Sequence, residues 1–151
     1  MYQCGAIGHL GLLNGLKGNS QAAAQIALEL DPYPVVLSRY LEELKGWLRS
    51  RARGYRRCGL VTSSGAKRLR ARGLGQRLTA NDDRKIAYWY LKGRKDIRSS
   101  YALEVPANEY TCQGLELDFV GLCWGGDLNC RTSKQEWNFE QFRGNQWQQV
   151  R

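Results

Sequence analysis

Three short apolar runs, separated by stretches of helical spacing, constrain this chain more than any other feature. PVVL (Pro34 to Leu37), CGLVT (Cys58 to Thr62) and FVGLCW (Phe119 to Trp124) are too short for helices and are bounded by turn or polar residues. Runs of this kind suit strands buried within a sheet. Between them, Leu41, Leu44 and Leu48 recur on one helical face with Trp47 beside them. Glu42 and Glu43 come early and arginines late in that segment, as the helix dipole favours, and Ser38 can cap it. The alternation predicts an α/β fold, one domain with a mainly parallel sheet flanked by helices.

The remaining segments fill in this frame. Residues 20–30 (SQAAAQIALEL) read as a helix capped at Asn19 or Ser20, with Ala22, Ile26 and Leu30 on one stripe, and stopped by Asp31-Pro32. SSGAKRLRARG reads as a turn and a basic helix, and residues 73–83 as a loop. RKIAYWYLKG reads as a short helix broken at Gly93. YALEV (Tyr101 to Val105) reads as a strand and Asn108 to Leu117 as a short helix. The tail after Gly126 is polar and tryptophan-containing, with no clear period.

Composition excludes several classes. At 151 residues the chain is long enough for one domain with a real core. No apolar run approaches the roughly 18–20 residues of a membrane span. The N-terminus lacks the basic start, apolar centre and small-residue cleavage site of a signal peptide, so the expected location is cytoplasmic. Five cysteines at irregular spacing, without C-x-x-C, and the lone His9 argue against structural zinc and for free thiols. A single histidine also leaves little for Ser-His-Asp or Cys-His chemistry.

The net charge is +9, and no acidic residue occurs from Leu44 to Asn81. That window holds Lys45, Arg49, Arg51, Arg53, Arg56, Arg57, Lys67, Arg68, Arg70, Arg72 and Arg77. Such a block suits a polyanion, because each neutralised phosphate releases counterions; the bland alternative is a solvated basic face. Glu104, Glu109, Glu116 and Asp118 lack metal-ligand spacing and read as surface charges. Tyr88, Trp89 and Tyr90, close to Arg94 and Lys95, can stack bases, but at helical spacing they fit a core better. G-x-x-x-x-G-K-[ST] is absent, and SSGAK (Ser63 to Lys67) fits a cap better than an anion cradle.

The run RSSYALEVPANEYTCQGLELDFVGLCWG resembles the late motif of the Schlafen-group-3-like DNA/RNA helicase domain family, which are superfamily 1-type P-loop ATPases. YPVVLSR with WLRSRARG, then GLVTSSGAKRLR, then the W-Y-L-K-G and D-I-R-S-S pieces, follow the family's order. The tail WNFEQFRGNQWQQV is similar to its W-x-F-x-x-F-R-G-x-x-W-Q-x-V segment.

The resemblance implies a second RecA-like domain whose Q-G-L-E element meets both ATP and the nucleic-acid strand. Gly114 would allow close backbone approach, Glu116 would accept a hydrogen bond from the ribose, and Gln113 would lie toward strand and cleft. From the acid-free block rather than from the resemblance, Arg56, Arg57, Lys67, Arg68, Arg70 and Arg72 are expected to grip DNA or RNA, single-stranded. ATP and Mg²⁺ are implied for the complete protein, together with a first RecA-like domain in the same or another chain. Against the family pattern, no Walker A lysine or Mg²⁺ carboxylate appears, and the Y-R element reads Tyr2-Gln3. The chain also stops at Arg151, short of the family's last arginine motif. The expectation is a domain clipped at both ends, with no catalytic residue of its own and no ATP hydrolysis in isolation. The alternative is a stand-alone, non-catalytic nucleic-acid-binding module, or a fragment without activity.

Overall fold

The computed structural model describes residues 3–6, 34–75, 78–125, 128–131, 136–143 and 145–149. In chain order the elements are β1 (Gln3–Ala6), β2 (Val36–Ser38), α1 (Leu41–Arg51), β3 (Cys58–Thr62) and a 3-10 helix (Lys67–Arg72). There follow α2 (Asp83–Leu91), a short 3-10 helix (Ser100–Ala102), β4 (Ala107–Asn108) and β5 (Phe119–Trp124). The chain then forms β6 (Leu128–Arg131), β7 (Glu136–Arg143) and β8 (Gln146–Gln149).

The main sheet has the order β2-β1-β5-β3-β4. Its parallel part is β5-β3-β4, and β1 runs antiparallel to both β5 and β2. The α/β architecture expected from the sequence is therefore present, with a parallel part of three strands. The strands β6, β7 and β8 form a separate antiparallel sheet.

Strand alternation assigns the two faces of the main sheet. Cys58, Leu60 and Cys123 join Leu44 and Leu48 of α1 in one core cluster. Val61, Ala107 and Leu117 join Trp89 of α2 in another. Both helices meet glycines on the strands. An ideal Cβ at Gly121 would lie 2.7 Å from Leu60 Cδ2, and one at Gly59 would lie 2.9 Å from Trp89 Cζ2. Trp89 is further fixed by its indole N–H, which donates to Val105 O at 2.8 Å. Among the described residues, no helix is long and apolar enough to cross a membrane.

β3, β5, α1 and α2 stand as the sequence pattern predicts, and α2 stops just before Gly93. The first apolar run pairs as Val36–Ser38, two residues later than PVVL begins, since Pro34 has no N–H to offer a ladder. Ser38 does not cap α1. Tyr40 is the N-cap, and Ser38 Oγ instead accepts from Tyr40 N at 3.0 Å and donates to Glu43. The basic segment is a 3-10 helix, ended by Gly73 at φ 83°.

Two segments depart further from their sequence pattern. Tyr101–Val105 is not a strand: Ser99 caps a 3-10 turn, and Leu103 follows at φ 59° in the left-handed region. That conformation is incompatible with an extended run, and pairing begins only after Pro106, at Ala107. Asn108–Leu117 is not a helix. Asn108 Oδ1 accepts from the backbone N–H groups of Tyr110 and Thr111, both at 3.0 Å, which favours an Asx turn over helical pairing. Gly114 at φ 76° then redirects the chain. The helix expected over residues 20–30 lies outside the described residues.

Candidate nucleotide and nucleic-acid site

The Q-G-L-E segment lies on the return from β4 to β5. Because both strands run parallel to β3, the chain must travel from the carboxyl edge of the sheet back to its amino edge. Thr111, buried, donates and accepts within the Asn108 turn, and its Oγ1 accepts from Asn108 N at 2.8 Å. Cys112 N–H closes the turn on Asn108 O at 3.0 Å, and Leu115 N–H bonds Cys112 O at 3.1 Å across Gly114. Leu115 and Leu117 then pack against the Trp89 cluster. Glu116, between them, is left exposed.

The amino ends of β3 and β5 are clasped together. Asp118 N–H and Phe119 N–H both donate to Arg57 O at 3.0 Å, while Arg57 N–H donates to Asp118 Oδ2 at 2.6 Å. Beside this clasp lies a cavity of about 780 Å³. Its polar rim includes Arg57, Glu116 and Asp118, and Val61, Val120 and Leu117 supply apolar wall. Gln113 and Gly114 do not line it; both are exposed on the preceding turn.

The basic residues divide between the two edges of the sheet. Lys67, Arg68, Arg70 and Arg72 are exposed on the 3-10 helix beyond the carboxyl end of β3, which Leu69 anchors in the core. Arg56 and Arg57 precede β3 at its amino end. Arg56 is exposed, and its carbonyl accepts from Arg94 at 3.3 Å. Arg57 is half-buried and turns toward the cavity, donating from Nη1 to Tyr90 O. Its guanidinium carbon lies 4.8 Å from the Tyr90 ring centroid and 5.7 Å from that of Tyr101. The six residues therefore do not all lie at one edge of the sheet. Sequence spacing gives no sign of Arg57's inward setting, because Tyr90 and Tyr101 reach it from distant segments.

The other sequence candidates are engaged elsewhere. Trp89 is core, while Tyr88 and Tyr101 carry Arg98 and Arg94 on their rings at 4.4 Å and 4.3 Å. Glu104 lies 3.5 Å from Lys45 Nζ, and Glu109 accepts from the amide of Ser64 at 2.8 Å and from its hydroxyl. In the SSGAK turn, therefore, the Ser64 amide already meets a carboxylate and the Gly65 amide meets Ser63 Oγ at 3.1 Å. Among the described residues, no three His, Cys, Asp or Glu side chains gather as a metal site.

Electrostatic shifts mark structural rather than reactive groups. Burial pushes the Cys58 thiol up against the opposing pull of Arg94 and Arg49, and burial likewise raises Cys112. Hydrogen bonds from the Arg98 side chain, then from its backbone amide, hold Asp96 well below the usual carboxylate range.

No curated protein and no solved structure matches the chain. Residues 8–151 match the family described as Schlafen group 3, DNA/RNA helicase domain. The match takes in the Q-G-L-E turn, the Arg57 clasp and the basic 3-10 helix alike, and the chain belongs to that helicase-domain family.

Proposed function

We propose that the chain is the second RecA-like domain of an ATP-dependent DNA/RNA helicase-like protein, contributing contacts to ATP and to a single strand. The observation that carries this reading is the placement of Glu116. It projects from a turn set by Gly114 onto the rim of a cavity whose size suits a small ligand, within the ~300–1,000 Å³ common for such sites. A carboxylate there can accept a hydrogen bond from a ribose hydroxyl. At the opposite edge, Lys67, Arg68, Arg70 and Arg72 offer exposed charge to backbone phosphates.

In this reading ATP and Mg²⁺ sit between this domain and a first RecA-like domain, and the first domain holds the metal and most phosphate oxygens. The residues present fit the sugar side of the nucleotide. Bound ATP supplies the free energy for closing the cleft, and this chain's part is to accept the ribose and to hold the strand. On its own it stabilises little transition-state charge and turns over no ATP.

The test is nucleotide titration of the chain and of its Glu116→Ala variant, alongside a single-stranded oligonucleotide. Loss of a charge-assisted hydrogen bond at an open site lowers nucleotide affinity by about three- to tenfold, with oligonucleotide affinity held. Oligonucleotide binding by a chain that takes no nucleotide would instead support a stand-alone binding module, which the exposed 3-10 helix can serve unaided.

A further inference from the structure

We infer that Arg57 is the anion-contacting residue of the Glu116 cavity, and that it receives a phosphate group of a bound nucleotide. The inference rests on the nucleotide reading of that cavity and adds to it a second, oppositely charged contact.

Arg57 is half-buried, and among the described residues one hydrogen bond is formed by its guanidinium. An arginine offers five N–H groups in a rigid fork. One of these meets Tyr90 O, and among the described residues its other contacts are the rings of Tyr90 and Tyr101. The neighbouring carboxylate, Asp118, binds Arg57 through the backbone amide. No described carboxylate lies within ion-pair distance of the guanidinium. Elsewhere the chain matches partly covered charge: Asp96 takes Arg98 through two side-chain bonds, and Lys45 lies near Glu42 and Glu104. A half-buried guanidinium that lines an open cavity with no described counterion is available to an anion from outside, and its partial burial strengthens that contact.

Tyr90 makes that site ready. The Tyr90 ring at 4.8 Å and the bond to Tyr90 O restrain the guanidinium, and a planar fork held in place loses less freedom when it grips a phosphate. The cavity's other polar groups then select the ligand. Glu116 and Asp118 repel a bare phosphate but accept from hydroxyl groups. A molecule carrying phosphate at one end and sugar hydroxyls at the other satisfies both sides. A nucleotide has that pattern. A phosphodiester strand could also offer a phosphate, but the exposed cations of residues 67–72 stand at the other edge of the sheet. Arg57 is accordingly separated from the basic surface with which its sequence neighbours group it.

Adenosine, AMP and ADP titrated against the chain, with a short oligothymidylate as the parallel arm, test this assignment. The wild-type chain is expected to bind ADP more tightly than adenosine. Arg57→Gln should lower ADP affinity about tenfold, leave adenosine within about twofold, and leave the oligothymidylate unchanged. Arg57→Lys keeps the charge but not the fork and should recover only part of the ADP affinity. Melting curves show whether each variant is folded; if Arg57→Gln is not, the Arg57→Lys comparison and the wild-type gain from adenosine to ADP decide. A loss confined to the oligothymidylate, or equal losses for adenosine and ADP, would overturn the role. Wild-type binding of neither adenosine nor ADP would remove the nucleotide reading and this inference together, whereas adenosine binding with no gain from phosphate would sink the Arg57 role alone.

Discussion

One substitution at two glycines should have opposite effects on stability. Gly121 lies in β5, paired to β1 on one side and β3 on the other. A Cβ there would stand 2.7 Å from Leu60 Cδ2, 2.8 Å from Leu48 Cδ1 and 3.1 Å from Leu44 Cδ2. Comfortable carbon contacts are at about 3.5–4.0 Å, so three methyl groups would each have to retreat by several tenths of an ångström or more. All three leucines are fully buried, and they belong to two different elements, so the strain has nowhere to relax. Overpacking of this kind costs about 1–3 kcal/mol, against a gain of about 0.4–1 kcal/mol from a less flexible unfolded chain. Gly121→Ala should therefore destabilise by about 1–2 kcal/mol.

Gly46 sits in the middle of α1, exposed, with no atom within 4 Å of its would-be Cβ. There the same change brings only helix propensity, about 0.8–1 kcal/mol of added stability. At about 2–4 °C per kcal/mol for a chain of this size, Gly121→Ala should lower Tm by about 2–8 °C and Gly46→Ala should raise it by about 2–4 °C. Calorimetry or far-ultraviolet circular dichroism on the two variants checks this. A silent Gly121→Ala, or a shift of the same sign in both, would refute the packing of α1 on β5 as argued.

Gly114→Ala should lower stability by about 1 kcal/mol through the left-handed backbone alone, since its Cβ would touch nothing, and Gly114→Asn should recover part of that in the same melting assay. Replacing Arg68, Arg70 and Arg72 together by Ala should weaken oligonucleotide binding and flatten its dependence on salt; an unchanged salt slope would exclude the 3-10 helix as a phosphate contact. Asp96 has its folded pKa depressed, so the pairing with Arg98 contributes in full above the unfolded value of about 3.9 and fades only as pH falls through the lower folded value. In an NMR carboxyl titration, Arg98→Ala should move the Asp96 midpoint upward; an unmoved midpoint would show that the guanidinium is not its cause.

The elements legible in the sequence are those whose local pattern and tertiary packing agree. The leucines of α1 repeat on one face because that face covers β3 and β5, and the apolar runs of both strands are buried for the same reason. Where long-range contacts decide, local pattern misleads. YALEV has strand composition, yet Leu103 is fully buried in a left-handed conformation and the Val105 carbonyl is taken by the Trp89 indole. β4 is two residues long, too short for any period to show. In β7 the usual alternation is inverted: Asn138 is buried and bonds Glu140 at 2.6 Å, while Phe139 is exposed. A reading that seeks apolar residues inside finds no strand there.

The candidate site follows the same division. Q-G-L-E is singled out by its resemblance to the family's motif, while the local pattern, read as a helix, misses the turn that carries it. A helix would ordinarily return the chain between parallel strands. Here the Asx turn and Gly114 bring the chain into an extended approach to β5 instead, so Leu115 and Leu117 face the Trp89 cluster and Glu116 faces out. Continued helix through Leu117 would place these three side chains about 100° apart around an axis and break that alternation. Arg57 has no local signature. Nothing in RARGYRR distinguishes it from Arg56, because the difference is made by Tyr90 on α2, Tyr101 after it and Asp118 at the start of β5. Glu116 of the candidate site is reached through the resemblance of its motif, and Arg57 beside the same cavity only by folding the chain.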